Sequence, residues 1–523
     1  MKRMKRLLSI LLAAVMCLSV TACGGGTDTG SGSDSGTPTF SNETLKVALD
    51  ANPTSLDGLV NTTAIVRHAN VPIYEGLLEM NSKYEPSCQL AKDYKINDDY
   101  TEFTFYLRDD VTFHNGKKMT SEDVVASMNR WLKLNSSIKT MVTHGEQFVA
   151  LDDYTVQLKL EEPCYLFTDI MIAPISFPVI TTKECVESAT DKGLTEYIGT
   201  GPLKLDEWKV DQYLHFVRNE DYKSPGYALD GDAGDRTVYF NDVYYYIVTD
   251  TAIRNAGIQS GEYDVIMGVG YSDVESLSKN SSVQLGKYLY CYNDVIFNKA
   301  EGIMSNEKIR EAISYAINAD EVLKAAYPAD GYTMTTRSMM YDGSKFSTTA
   351  GTEEMNKYDP EKAKQLLKEA GYNGETVRIL GNQVYQHHYN GSLVLKQELE
   401  AVGINVDLEI VDWSTELTMR KDKGQTDMYV MSYPFVTAPI SYRALSTTDE
   451  GFSSWPELST LKAKVNNAGS DTEAVAAWSE LQTFVMEKWS FVPLGYNYGA
   501  CAASSSIKAF TPFNGVRVFG CYR

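Results

Sequence analysis

The chain has 523 residues, 69 Asp and Glu against 48 Lys and Arg, and a formal net charge of −21. That length allows more than one domain, and the acidic balance favours solubility and argues against a general nucleic-acid-binding surface. Its eight cysteines show no metal-type spacing.

In chain order, Lys2, Arg3, Lys5 and Arg6 precede an apolar stretch from Leu7 to Val20, and Val20-Thr21-Ala22-Cys23 follows. A basic start, an apolar run and small residues make a secretory signal, and the run falls short of the roughly 18 residues of a membrane anchor. The cysteine followed by Gly24, Gly25 and Gly26 resembles a bacterial lipobox. That resemblance implies a signal over 1–22, cleavage before Cys23 and a lipid on its thiol; a plain secreted chain with Cys23 unmodified is the alternative. Losing the four positive charges of the leader takes the net charge to −25. Residues 24–40, GGGTDTGSGSDSGTPTF, have the composition of flexible coil, so 23–40 is expected to be a tether. Such tethers resemble those of Gram-positive lipoproteins, which implies an extracytoplasmic body anchored to the cell membrane. The next apolar run, 170–180, is interrupted by Pro174 and Pro178.

TLKVALD at 44–50 and TEFTFYL at 101–107 alternate as half-buried strands do. Thr120 with Asp123 makes a capping box for a helix over 121–132. DGDAGD, with Asp230, Asp232 and Asp235, fails the register of a calcium loop and reads as a solvated acidic insertion. Ile309, Ala312, Ile313, Ala316 and Ile317 mark one helical face. Asp359, Pro360 and Gly371 supply a cap, a first-turn proline and a stop for the next helix. A strand over 377–380, a helix over 391–402 ending at Gly403, a strand over 404–410, a helix after Trp413 and a strand over 426–432 follow. That alternation predicts parallel βαβ units in the C-terminal half. Of the cysteines beyond Cys23, Cys501 and Cys521 are the expected pair, with reduced thiols as the competing reading.

A series of motifs then resembles family 5 of bacterial extracellular solute-binding proteins, the peptide/nickel-type receptors of ABC importers. It includes IYEGLL at 73–78, AKDYKINDDYTEFTFYLRDDVTFHNGKKMTSEDVV at 91–125, YIGTGPLKLDEW at 197–208, KIREAISYAI at 308–317 and GINVDLEIVDW at 403–413. The resemblance implies an α/β, two-lobed periplasmic-binding-protein-like fold (type II, cluster C) with an extra N-terminal subdomain. Transferred here, lobe I takes 41–80, 198–290 and 496–523, the extra subdomain 81–197, and lobe II 291–495. His114, in the FHNG turn, reads as structural. The same resemblance implies a monomeric, non-enzymatic receptor without cofactor, which passes a small peptide to the permease of an ABC transporter.

Individual residues carry over from the oligopeptide-binding branch. Trp413 matches a pocket tryptophan, Arg420 an arginine reaching towards a peptide carboxylate, and His387 a histidine of similar role. A guanidinium suits a carboxylate because its planar fork donates two parallel hydrogen bonds. Where peptide binders of this family carry Gly-Trp-x-x-Asp-Tyr, this chain has Ser432-Tyr433-Pro434-Phe435-Val436. Tyr433 and Phe435 keep an aromatic wall, but Val436 replaces the aspartate that holds a ligand's amine. Asp294 is a candidate replacement, and Tyr292 and Asn293 beside it sit at the expected hinge. The alternatives are a blocked or cyclic peptide, an oligosaccharide or a metal chelate. Direct metal binding by His387-His388 is disfavoured, because adjacent side chains on regular structure point apart. A secreted two-carboxylate hydrolase is the rival of another class, but no GxSxG, HExxH or Walker A motif occurs.

Overall fold

A computed structural model describes residues 38–142, 144–355, 357–447 and 451–523. The signal over 1–22, Cys23 and the tether up to residue 37 lie outside the described residues. Thr44–Leu49 forms the expected first strand, with Leu45, Val47, Ala48 and Leu49 all buried. It is buried because it runs parallel to Asp242–Ile247 on one side and Val265–Met267 on the other. Tyr213–Arg218 and Leu203–Lys209 extend that edge antiparallel. At the opposite end of the same 11-stranded sheet, Thr376–Asn382 lies parallel to both Asn405–Val411 and Met428–Pro434. These are the predicted βαβ units.

Two long strands join the halves. Val283–Phe297 and Phe491–Ser504 pair antiparallel from Val283 opposite Ser504 to Ile296 opposite Phe491. Fifteen residues at about 3.4 Å each span roughly 50 Å, enough to run through both halves. The first strand also pairs with Met428–Pro434, and the second with Val265–Met267. The register shifts between Leu289 and Cys291 and again between Asn293 and Asp294, which bends the ribbon where the halves meet. The lobe borders expected at 290/291 and 495/496 cut through these two strands. Of the four buried apolar clusters among the described residues, three mark this layout. One surrounds the first half (Leu45, Phe216, Val243) and one the second (Ile313, Val377, Leu399). The third runs from Phe103, Trp131 and Phe167 to Trp478.

That third cluster belongs partly to a separate four-stranded antiparallel sheet, Ala91–Ile96, Glu102–Leu107, Thr155–Lys159 and Phe148–Asp152. The helix Ser121–Leu134 packs on it, started by the Thr120 N–H donating to Asp123 Oδ2 at 3.2 Å. This segment meets the second half directly. Lys345 Nζ donates to Asp169 Oδ2 at 3.1 Å, the Tyr165 hydroxyl donates to Asp471, and Tyr165 N–H donates to the Asn466 carbonyl at 2.7 Å. These bonds tie the antiparallel-sheet segment to the second half.

Two expectations are corrected here. Cys501 and Cys521 are free and buried, and Cys521 Sγ faces the Ala509 and Arg517 carbonyls at 3.8 Å. Asp232 is not solvated. It is 1 % exposed and ion-paired with Arg517 at 2.5 Å, in a buried network with Arg67, Glu79 and Arg236. His114 is structural as read, its Nε2 3.0 Å from the Gly201 carbonyl.

Candidate functional site

The carboxyl ends of the parallel strands in both halves point at the crossing of the two long strands, the usual place for a ligand in an α/β sheet. From the first half come Asp50 and Gly268; from the second, Asn382, Asp412 and Pro434. Along Val283–Phe297 side chains alternate in direction, so Tyr292 and Asp294 face one side and Asn293 the other.

On the first side lies a cavity of about 360 Å³. Tyr292, Tyr433, Phe435 and Val436 form one wall, and Asn135, Ser137 and Ser176 of the antiparallel-sheet segment form the opposite one. Tyr292 stacks on Tyr442 at 4.0 Å, stands 5.5 Å from Tyr433, and its hydroxyl accepts from the Arg443 N–H at 2.9 Å. Phe435 is locked edge-on by Tyr84 and Tyr341 at 5.4 and 5.6 Å. Arg443 is the only charged residue among the described lining residues. The lining is thus aromatic on one face and hydroxyl- and amide-bearing on the other. It can stack on a ligand and hydrogen-bond to it.

Asp294 does not line this cavity. It is fully buried behind Tyr292, where the Tyr442 hydroxyl donates to Oδ1 at 2.8 Å. Burial raises its pKa well above the usual carboxylate range, which favours the neutral acid and makes it a poor partner for an ammonium. Asn293, on the other side, donates to Asn497 Oδ1 at 3.0 Å and accepts from the Tyr327 hydroxyl at 2.7 Å.

The remaining candidates gather in a second, adjoining group. The Asp412 carboxylate caps the helix Trp413–Met419 through the Thr415 N–H, which places Trp413 at its first turn. Trp413 meets Tyr385 edge-on at 4.8 Å, and the Arg420 guanidinium lies 5.6 Å from the Trp413 ring and 5.2 Å from Tyr429. His387 stacks on Tyr327 at 5.3 Å. Contrary to the divergence expected of adjacent side chains, His387 and His388 both turn Nε2 to Ser432 Oγ, at 3.1 and 2.9 Å. They can do so because they occupy the first turn of the helix Gln386–Ala401, directly over the strand that carries Ser432. Burial lowers the His387 pKa to about 4, and burial with the charges of its neighbours puts His388 well below the usual value. Both are neutral at pH 7, so His387 can hydrogen-bond a carboxylate but brings no charge to it. Ser432, next to Tyr433, joins this group to the cavity.

Sequence reasoning reached Tyr292, Tyr433 and Phe435 but missed Ser441, Arg443 and the wall from Asn135 to Ser176. These sit in loops and single 3-10 turns that no periodicity marks.

Comparison with known proteins supports one family throughout. The sequence model for bacterial extracellular solute-binding proteins, family 5, middle region, matches residues 85–451. A probable peptide ABC transporter periplasmic-binding protein, y4tO of Sinorhizobium fredii, is 27% identical over 94% of this chain and 95% of its own. The glutathione-binding protein GsiB of Escherichia coli K12 is 25% identical over 75% of this chain and 74% of its own. Among solved structures, the ABC transporter substrate-binding protein CtaP of Listeria monocytogenes superposes with a TM-score of 0.81 at 23% identity, over 92% of this chain and 99% of its own. A two-lobed α/β body with no enzymatic role fits this family, and the chain belongs to family 5 of the bacterial extracellular solute-binding proteins.

Proposed function

We propose that this extracytoplasmic ABC-transporter receptor captures a short peptide or peptide-like solute between its lobes and hands it to the permease, while a lipid on Cys23 holds it at a Gram-positive cell membrane. The observation that carries the reading is the cavity at the strand crossing, lined by Tyr292, Tyr433 and Phe435 together with Asn135 and Ser176. Its volume, near the low end of the several hundred Å³ typical of ligand sites, suits a short solute. Peptide backbones present amides to the polar wall and side chains to the aromatic one. An oligosaccharide is the second reading, because Ser137, Ser176 and Ser441 line a cavity without a carboxylate among its described lining residues.

Native mass spectrometry of protein purified without refolding, then thermal-shift screening of di- to tetrapeptides against oligosaccharides, separates the two. A stabilising peptide supports the proposal. Stabilisation by sugars alone transfers the site to the second reading. For the anchor, metabolic palmitate labelling of the expressed chain should be lost in Cys23→Ala; equal labelling of the variant removes the lipid from the proposal.

A further inference from the structure

Tyr84 stands at the tip of the hairpin that pairs Leu78–Met80 with Pro86–Cys88. Its φ is +64°, in the left-handed region that costs any residue with a side chain. The loop around it is firmly bonded. Asn81 Oδ1 accepts from the Lys83 and Glu85 N–H groups at 2.9 and 3.0 Å, and the Asn81 carbonyl accepts from the Tyr84 N–H at 2.8 Å. A glycine would turn this corner without strain; a tyrosine brings a ring to it. That ring seats on the second half. It meets Tyr341 edge-on at 4.9 Å and Phe435 edge-on at 5.4 Å, and lies 5.3 Å from Phe513 of the C-terminal segment. Phe435 lines the cavity, whereas Tyr84 is not among the described lining residues.

Residues 163–169 make a second contact with the same half. Tyr165 N–H donates to the Asn466 carbonyl at 2.7 Å, Asn466 Nδ2 donates to the Pro163 carbonyl at 3.3 Å, and Cys164 Sγ lies 3.5 Å from Asn466 Oδ1. Lys345 Nζ pairs with Asp169 at 3.1 Å and stands 5.0 Å from the Tyr165 ring. The hydroxyl of Thr437, a lining residue, donates to the Asp169 carbonyl at 2.5 Å, and Ile170 lines the cavity too. Both contacts thus border one cavity. They are also joined on either side. The helix Phe167–Met171, which carries Asp169, packs against both strands of the hairpin that carries Tyr84. In the second half, Tyr341 and Lys345 share one turn, closed by the Ser344 N–H donating to the Tyr341 carbonyl at 3.1 Å.

We propose that Tyr84 and residues 163–169 form a two-point clasp that fastens the antiparallel-sheet segment to the second half beside the cavity, and that the two points release together to admit or free a solute. The clasp goes beyond the receptor reading. Its test uses no ligand, so its failure leaves that reading standing.

The test breaks one point and reads the other on the full mature chain. Cysteines are labelled with N-ethylmaleimide at one fixed pH and followed by peptide mass spectrometry. Cys164 reports the 163–169 contact, and Cys501, buried in the cluster of the first half, reports general unfolding. Tyr84→Leu should speed Cys164 labelling about tenfold with Cys501 unchanged, and Tyr84→Phe, which keeps the ring, should match wild type. In the reciprocal experiment Lys345→Met removes the ion pair and should raise hydroxyl-radical oxidation of Tyr84, but not of Tyr245, which is buried in the first half. A reporter that keeps its wild-type rate, or a reference residue that rises along with it, overturns the clasp. If Tyr84→Leu does not fold, the Lys345→Met experiment decides alone, because Lys345 keeps 37% of its side chain exposed.

Discussion

Replacing Asp294 with asparagine should stabilise the protein, and increasingly so as the pH rises. Asp294 is fully buried, with one hydrogen bond from the Tyr442 hydroxyl and a carboxyl pKa raised well above its unfolded value. The fold therefore keeps a proton that the unfolded chain releases above about pH 4. In that range the unfolded state binds fewer protons than the native state, so wild-type stability declines with pH by about 1.4 kcal/mol per unit from this residue alone. The decline continues for as long as the folded carboxyl holds its proton. Asparagine has the same shape, accepts from Tyr442 through its own Oδ1, and does not titrate. The variant should therefore gain on wild type as the pH rises above about 4, for as long as the folded carboxyl keeps its proton. Urea unfolding of both at pH 4.5, 5.5 and 6.5, followed by fluorescence, measures the gap. A gap independent of pH would show that Asp294 is ionised in the fold. A variant that loses ground as pH rises would mean that a cation pairs with it, restoring it as the ligand's partner.

Other consequences follow from the same geometry. Tyr433→Ala removes a ring from the cavity wall and should weaken ligand binding about tenfold, roughly 1.4 kcal/mol, in calorimetry. Trp413→Ala, whose ring packs on Tyr385 and Arg420, should cost less affinity than Tyr433→Ala. Asp232→Ala strands Arg517 beside Arg67 without a counter-charge and should cost about 3–5 kcal/mol in chemical denaturation. Alkylation of the native protein should spare Cys164, Cys185, Cys291, Cys501 and Cys521, which are buried, and label Cys88 slowly, because burial pushes its thiol to about 11. After denaturation without reductant all six should react, and a resistant pair would reveal a disulfide.

Much of the fold was legible because its elements obey local rules. Asp359 accepts from the Lys362 N–H at 2.9 Å, Pro360 opens the helix Pro360–Glu369, and Gly371 takes φ +76° just beyond it, as the punctuation of the sequence predicts. Where local rules are weak, the reading stopped short. The helix Gln386–Ala401 starts five residues before the expected Gly391, because its first turn of histidines and tyrosine is chosen by Ser432, Tyr327 and Trp413 rather than by helix propensity. Asp232 looked solvated because its partners lie far away in sequence, Arg517 by 285 positions. The cavity wall from Asn135 to Ser176 was invisible for the same reason, since only the folded chain brings it beside Tyr433.

Asp50 and Asp294 show what sequence could not decide. Each is an aspartate in or just after an apolar strand, and each lies near the strand crossing. Asp294 is sealed from solvent and given a single hydroxyl, so only the Tyr442 hydrogen bond offsets its desolvation and the carboxyl pKa is pushed well up. Asp50 keeps an opening to solvent, and the Arg254 charge offsets part of the desolvation that burial imposes. Burial raises both carboxyl pKa values, and the Arg254 charge opposes it at Asp50 alone, although the sequence favoured Asp294 for its place beside the hinge. The difference comes from what the neighbouring strands bring to each carboxyl: Tyr442 and Tyr292 close over one, while Gly268, having no side chain, leaves the other room to lie against its backbone.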